Sequence, residues 1–211
     1  MKEFLILAFG LTMVYLSLTS RYAAYVRVIA LQGIILFLLV MSDWATLDLA
    51  SASLLAIETL GFKAIATPLL LSRILAKSGF KRESEANIPQ FYSIVLETLI
   101  VLVGFYAAWW AKTSGMGLKP LFFGISIANM LTALFIIVTR KRILTHVMGY
   151  MLLENGIFLL SLSIAAEMPF IVNIGVLLDI FIALFIFGLF IVRIQSTYED
   201  ITVDRLTELR D

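Results

Sequence analysis

The sequence predicts an all-α integral membrane protein with seven transmembrane helices. Of its 211 residues, 61% are apolar and 15% are charged, whereas soluble domains contain about 45–50% apolar and about 25% charged residues. The apolar residues are gathered into long runs, and about 20 such residues cross a bilayer as one helix. These runs occupy most of the chain, so we expect a single transmembrane domain over residues 1–211.

The predicted spans follow one another with short connections. They cover residues 4–20, 24–41, 49–71, 91–111, 121–138, 143–165 and 170–192. Runs of this length favour helices over barrel strands, because a membrane-crossing strand needs only about 9–11 residues. Residues 195–211 form a polar tail, which is either a frayed end or a docking segment for a partner.

Basic residues are divided unequally between the two sides of the predicted bundle. Twelve of the 16 Lys and Arg residues lie in or beside the connections and tail of one side, and three lie on the other. The positive-inside rule then puts the N-terminus outside and the tail in the cytoplasm. Trp44, Trp109 and Trp110 fall at the predicted outer boundary, where an aromatic belt is expected.

The composition excludes several kinds of chemistry. The chain has no Cys, so it forms no disulfide, thiolate zinc site or iron–sulfur cluster. Its single His cannot share a haem with a second His of this chain, and a net charge of +1 gives no case for nucleic-acid binding. We therefore expect no cofactor in this chain. The small residues that we interpret as helix contacts are Gly104, Gly124, Gly149, Gly156 and Gly188.

The order of the spans suggests an internal repeat. Spans one to three and five to seven cross in matching directions, with span four as the linker of a parallel 3+1+3 arrangement. Each half has a polar residue on its second span (Gln32, Glu154) and on its third (Lys63, Asp179). Superposing the halves should bring Gln32 near Glu154 and Lys63 near Asp179.

Ionisable residues inside the predicted spans are the candidate functional residues. A charge at the bilayer centre costs at least about 2.5–3.5 kcal/mol. Glu58, Lys63, Glu154 and Asp179 must therefore face protein or water, and they should pair or change protonation. Their positions predict a polar track that carries protons; the alternative is that the charges only pair helices.

The sixth span extends this track. His146, Tyr150 and Glu154 follow at i, i+4 and i+8, which lays them along one helical stripe about 12 Å long. Asn155 adjoins Glu154 and can supply a hydrogen bond or hold a water. Glu97, on span four, is about two turns from the cytoplasmic end, where we expect water to reach it.

The third span carries two charges and a proline. Glu58 and Lys63 are five residues apart, about 140° around an α-helix, which makes them a poor pair. Pro68 removes a backbone hydrogen bond and predicts a kink. Lys63 either exchanges protons itself or neutralises Asp179 or Glu154 in a structural ion pair. Asp179 has no partner one turn away on its own span, so its partner must come from another helix or chain.

Several segments resemble one family. The segment Arg140–Gly156 is a basic loop that leads into a Gly-Tyr-x-x-x-Glu-Asn-Gly stretch, and it resembles the E component of hydrogenase-4. The segment Ile174–Phe181, the ending Thr202–Arg210 and Lys63 followed by Pro68 are similar to the same family.

The last three spans also resemble the K subunit of bacterial respiratory complex I. Asp179 matches that subunit's third-span carboxylate in place. The middle-span carboxylate departs from the pattern, because Met151 stands at its position and Glu154 follows one turn later, about 4.5 Å deeper or shallower. That departure argues against an identical proton path.

The resemblance implies a non-redox subunit in the membrane arm of a complex-I-like group 4 hydrogenase or related oxidoreductase, in the inner (cytoplasmic) membrane. Its partners would be a redox-linked membrane anchor and an antiporter-like pump subunit, and nickel–iron and iron–sulfur centres would belong to partner subunits. A structural scaffold subunit and an independent small ion transporter are the alternatives. Proton (or sodium) translocation would involve Glu154, Asp179, Lys63, Glu58, His146, Tyr150 and Glu97.

Overall fold

The computed structural model describes residues 1–44, 49–78, 88–115 and 117–164, and these ranges are built from helices. The predicted seventh span with Asp179, and the predicted tail, lie outside the described residues. The helices are α1 (Lys2–Leu18), α2 (Tyr22–Ser42), α3 (Leu49–Ala56), a π-helix (Ile57–Ala66), α4 (Thr67–Ser78), α5 (Gln90–Thr113), α6 (Pro120–Thr139) and α7 (Ile143–Ile164).

Within the described ranges, five helical stretches are long and apolar enough to cross a membrane. They are Tyr22–Ser42, Ala52–Ala76, Gln90–Thr113, Pro120–Thr139 and Ile143–Ile164, and they coincide with predicted spans two to six. The shorter helix α1, with 17 residues, occupies the predicted first span. The described part of the chain is thus helical and carries helices of membrane-spanning length, while the count of seven spans, the orientation and the repeat stay predictions.

The centre of the described bundle is formed by α2 and α7, which are apolar almost all round. A helix with this character is expected to be buried rather than to show one polar face. The π-helix and α1 pack against α2, and α6 packs against both α5 and α7. Helix α5 lies at the periphery of the described bundle, since only 17% of its most apolar segment is buried, against 67% for the corresponding segment of α7.

Glycines allow α6 to approach its two neighbours closely. A Cβ atom at Gly149 of α7 would lie 2.6 Å from Cγ1 of Ile137, and one at Gly156 would lie 2.9 Å from the side-chain nitrogen of Asn129. Gly104 of α5 and Gly124 of α6 meet each other in the same way. The interpretation of these four glycines as helix contacts is confirmed, and Gly188 lies outside the described residues.

Each end of the bundle is tied by charged side chains. At one end, Asp43 after α2 binds Lys2 of α1 and Lys119 before α6, and the Lys119 ammonium lies 3.1 Å from Oδ2 of Asp43. At the other end, Arg140 after α6 donates to the Thr19 carbonyl after α1, at 3.1 Å. The connections that the charge pattern assigned to opposite sides therefore lie at opposite ends of the described bundle.

Candidate functional site

A buried cluster of charges joins the π-helix to α7. The Lys63 Nζ lies 3.1 Å from Oε1 of Glu154 and 3.5 Å from Oε1 of Glu58. Lys63 is 5% exposed, Glu154 6% and Glu58 1%. We name these three residues the lysine triad. Of the two partners that the sequence left open for Lys63, the structure shows Glu154, and it adds Glu58.

The pairing of Glu58 with Lys63 corrects the prediction that five-residue spacing makes them a poor pair. That prediction assumed α-helical geometry, but residues Ile57–Ala66 form a π-helix. Hydrogen bonding from i to i+5 places residues five apart above one another instead of on different faces. The π-helix ends just before Pro68, which cannot donate a backbone hydrogen bond. The kink that Pro68 predicts stays a prediction.

A small cavity lies beside the triad. Its volume of about 10 Å³ is about the minimum that one buried water molecule requires. All three triad side chains line it, together with Thr67 and Asn155. Polar walls of this kind can hold a water, because a buried water needs several hydrogen-bond partners. The Phe158 ring lies on the apolar side of the triad, with its centroid 5.4 Å from Lys63 Nζ.

A network of neutral amides continues from the triad into the bundle. Asn155 donates to the Gln32 oxygen at 3.1 Å. Gln32 in turn donates to Thr12 at 2.9 Å and to Asn129 at 3.1 Å. Asn129 donates to the Leu152 carbonyl at 2.7 Å. The network links α1, α2, α6 and α7 and fixes the turn of α7 that carries Glu154.

Part of this amide network is not predicted by the sequence pattern. The pattern indicates a hydrogen bond from Asn155 and a polar position at Gln32, but it does not single out Thr12 or Asn129. Asn129 was detectable as an amide in the middle of an otherwise apolar span. Thr12 gives no such signal, because a hydroxyl inside a helix can bond its own backbone, as Thr12 does with the Phe9 carbonyl at 2.6 Å.

Gly33 sets the distance between α2 and the π-helix at the level of the triad. A Cβ atom there would lie 2.6 Å from the Ala64 nitrogen and 2.6 Å from the Lys63 carbonyl carbon. Such contacts are with rigid backbone, so any larger residue would force the helices apart. Gly33 thus presses α2 onto the segment that presents Lys63, next to the amide of Gln32.

His146 and Tyr150 lie on α7 toward the Arg140 end, and the structure makes neither of them part of the triad or of its cavity lining. The Nδ1 of His146 is 2.8 Å from the Arg142 carbonyl, a contact within one turn of chain. Tyr150 is half-buried and packs beside the apolar cluster that contains Met148 and Met151. Their role in a proton path stays a prediction.

Glu97 lies apart from the triad, on the face of α5 that packs against α6. Thr132 donates to its Oε1 at 3.0 Å, and Glu97 is 2% exposed. The expectation that water reaches Glu97 is therefore wrong for the described part of the chain. Glu97 lies about two turns from the start of α5 at Gln90, as the sequence indicates, but it faces Thr132 of α6 instead of water.

The chain is distantly similar to known proteins. No family model and no solved structure matches it. An uncharacterized protein of Mycobacterium tuberculosis is 26% identical over 189 residues, which cover 89% of this chain and 86% of that protein. Hydrogenase-4 component E of Escherichia coli is 28% identical over 122 residues, or 58% of this chain and 56% of that protein, and the Shigella flexneri protein matches equally.

These matches support the resemblance to hydrogenase-4 component E as a distant relationship. The match spans just over half the length of that relative, so it does not establish membership of its family. The resemblance to the K subunit of complex I stays a prediction.

Proposed function

We propose that this chain is a non-redox subunit in the membrane arm of a hydrogenase-type oxidoreductase in the inner (cytoplasmic) membrane, and that its lysine triad carries protons during ion translocation. The relationship to hydrogenase-4 component E and the membrane-length helices support this proposal. The partners would be a redox-linked membrane anchor and an antiporter-like pump subunit. The nickel–iron and iron–sulfur centres would lie in partner subunits, in keeping with a chain that has no Cys.

The observation that carries the proposal is the charge count of the triad. Two carboxylates share one ammonium, so uptake of a single proton brings the three side chains to neutrality. An isolated charge is costly in a medium of low dielectric constant, and a change in the surrounding field therefore shifts the protonation of such a cluster. The adjoining cavity gives a water molecule room to deliver or remove that proton.

The proposed mechanism couples this cluster to chemistry elsewhere in the complex. Electron transfer in partner subunits would change the field or the hydration near Lys63 and Glu154, and the triad would take up or release a proton in response. Asp179, His146, Tyr150 and Glu97 are the proposed further members of the path. The amide network beside Glu154 holds α7 in place. Its amide groups are not carriers in this mechanism, because they bind protons too weakly.

Proton translocation by the purified complex in liposomes tests the proposal. The substitution Glu154→Gln removes one proton-binding group and keeps the size of the side chain. We expect translocation per electron to fall while the complex still assembles. Glu3→Gln is the matched control, since Glu3 is exposed at the start of α1. Unchanged translocation in Glu154→Gln would contradict the proposal.

A scaffold role is the second candidate, and the same ion pairs favour it because they tie the π-helix to α7. The fully neutral triple variant, with Glu58→Gln, Lys63→Met and Glu154→Gln, separates the two candidates. Replacing all members of a buried ion cluster by neutral side chains is often neutral for stability. A scaffold then keeps both assembly and translocation, whereas a relay keeps assembly and loses translocation.

A further inference from the structure

The amide network beside the triad has a fixed direction. The Leu152 carbonyl can only accept a hydrogen bond, and the Asn129 nitrogen donates to it at 2.7 Å. The Asn129 oxygen therefore faces Gln32, whose nitrogen donates to it at 3.1 Å. The Gln32 oxygen in turn faces Asn155, whose nitrogen donates to it at 3.1 Å. The backbone carbonyl of Leu152 thus sets the orientation of all three amides.

Thr12 supports the same direction. Its hydroxyl hydrogen goes to the Phe9 carbonyl at 2.6 Å, so its oxygen accepts the hydrogen bond from the Gln32 nitrogen at 2.9 Å. Both hydrogens of that nitrogen are then used, and the Gln32 oxygen is left for Asn155. All of these amides are buried, so turning one over would leave buried donors and acceptors unpaired, which is costly.

This direction leaves the Asn155 oxygen for the cavity beside the triad. Asn155 is 2% exposed, and it lines the cavity together with Glu58, Lys63 and Glu154. The hydrogen bond that its amide makes within the described part of the chain uses the nitrogen. An amide that donates in this way is a stronger acceptor at its oxygen, because hydrogen bonds in a chain polarise one another. The cavity therefore has a neutral acceptor of fixed orientation beside two carboxylates and an ammonium.

We propose that Asn155 is a positioning residue that orients one water molecule between Lys63 and Glu58; this role rests on the proposed proton relay. The cavity has room for about one water, so the groups that line it address the same molecule. That water donates one hydrogen to the Asn155 oxygen and the other to Glu58, and it accepts one of the three hydrogens of the Lys63 ammonium.

The oriented water joins the two members of the triad that lie farther apart. The Lys63 Nζ is 3.5 Å from Oε1 of Glu58, beyond the usual length of a direct hydrogen bond. The water gives a hydrogen to Glu58 and takes one from Lys63, so the water is restored. One proton has then moved from the ammonium to the carboxylate, and both side chains are neutral.

Electron cryo-microscopy of the intact complex, at a resolution that shows ordered water, tests the site. In wild type we expect a water peak within hydrogen-bond distance of the Asn155 oxygen. Asn155→Leu removes that oxygen at similar side-chain volume, so the peak should be lost. Thr12→Val is the matched control, because it also leaves a polar group of Gln32 without its partner. Thr12 is not part of the cavity lining, so the peak should remain in this variant.

The rate of proton translocation in liposomes measures what the water contributes. We expect the rate to fall about tenfold in Asn155→Leu, roughly the effect of one hydrogen bond on a transfer step, and to stay near wild type in Thr12→Val. Equal rates in the two variants overturn the role of Asn155, since a purely structural network would affect both alike.

The failure of this role is distinguishable from the failure of the relay. A dry cavity in wild type overturns the role of Asn155 and leaves the relay, because Lys63 and Glu154 are in direct contact. Unchanged translocation in Glu154→Gln instead contradicts the relay, and the water peak beside Asn155 would still be seen.

Discussion

Two charged clusters of this protein have opposite arrangements of charge. In the lysine triad one ammonium lies between two carboxylates, and the residues are 1–6% exposed. At the bundle end one carboxylate, Asp43, lies between two ammoniums, Lys2 and Lys119, whose side chains are 43% and 38% exposed. The chemical groups are of the same kind, but only the first set is shielded from solvent.

The difference in burial decides what each cluster can do. Water screens the Asp43 cluster, so each of its pairs contributes little and can be lost at small cost. Protein atoms instead of water surround the triad, so losing one member leaves an uncompensated charge in an apolar environment. The buried cluster therefore responds strongly to the gain or loss of one proton, and the exposed cluster acts only as a weak tie between helix ends.

Removing the central ammonium of the triad gives the largest expected effect. Lys63→Met leaves Glu58 and Glu154 buried without their shared cation, and breaking a buried pair in this way costs about 3–5 kcal/mol. Thermal unfolding of the detergent-solubilised protein measures the loss. Lys112→Met, at an exposed position near the end of α5, is the matched control and should stay near wild type.

The neutral triple variant sharpens this prediction. Because it removes the carboxylates along with the ammonium, it should recover most of the stability that Lys63→Met loses. If Lys63→Met were no less stable than Lys112→Met, the triad would not be shielded as described.

The close approach of α2 to the π-helix at Gly33 positions the triad. A larger side chain at Gly33 should give an intermediate loss of stability. Gly33→Ala would drive a Cβ atom into the backbone of Lys63 and Ala64, and overpacking of this kind costs about 1–3 kcal/mol. Gly10→Ala is the control, because the nearest atom there is the Ile125 Cδ1 at 3.6 Å, an ordinary contact. Equal melting temperatures for the two variants would show that α2 does not constrain the triad.

Neutralising Asp43 of the exposed cluster should give the smallest loss of stability. Partial burial raises the pKa of Asp43, but hydrogen bonds from Lys2 and Lys119 outweigh it and hold that pKa below its usual 3.8. The ionised form therefore stabilises the fold above about pH 4, and this contribution is lost as the pH falls through the lowered value. Asp43→Asn should cost about 0.2–1 kcal/mol near neutral pH.

Unfolding of wild type and Asp43→Asn across a pH series checks this prediction. The two stability curves should converge on acidification below about pH 4, and high salt should narrow the gap at neutral pH. A gap that widens in acid would contradict the assignment.

Helix positions were predictable from the sequence because hydrocarbon imposes long apolar runs. The described helices α1, α2, α5, α6 and α7 begin and end within a few residues of the predicted spans. The third predicted span differs, since its helix continues to Ser78 instead of ending at residue 71. Charges near its end lowered the apparent hydropathy without interrupting the helix.

The three triad residues were predictable as intramembrane charges, but their grouping was not, since the sequence left Asp179 open as the partner of Lys63 and indicated a poor pair for Glu58 and Lys63. The energetic cost of a charge in the membrane is enough to single out Glu58, Lys63 and Glu154 from the sequence. Their contact depends on the π-helix register, which hydropathy does not encode, and on both α7 and the π-helix packing against α2. Pro68 was the one local sign of irregular helix geometry.

The central claim is that the lysine triad binds and releases a proton during turnover. Infrared difference spectroscopy of the intact complex, reduced minus oxidised, detects the carbonyl band of a protonated glutamate, and isotope-labelled glutamate assigns it. We predict a band that appears on one side of the redox change in wild type and is absent or shifted in Glu154→Gln. Identical spectra for the two proteins would contradict the claim.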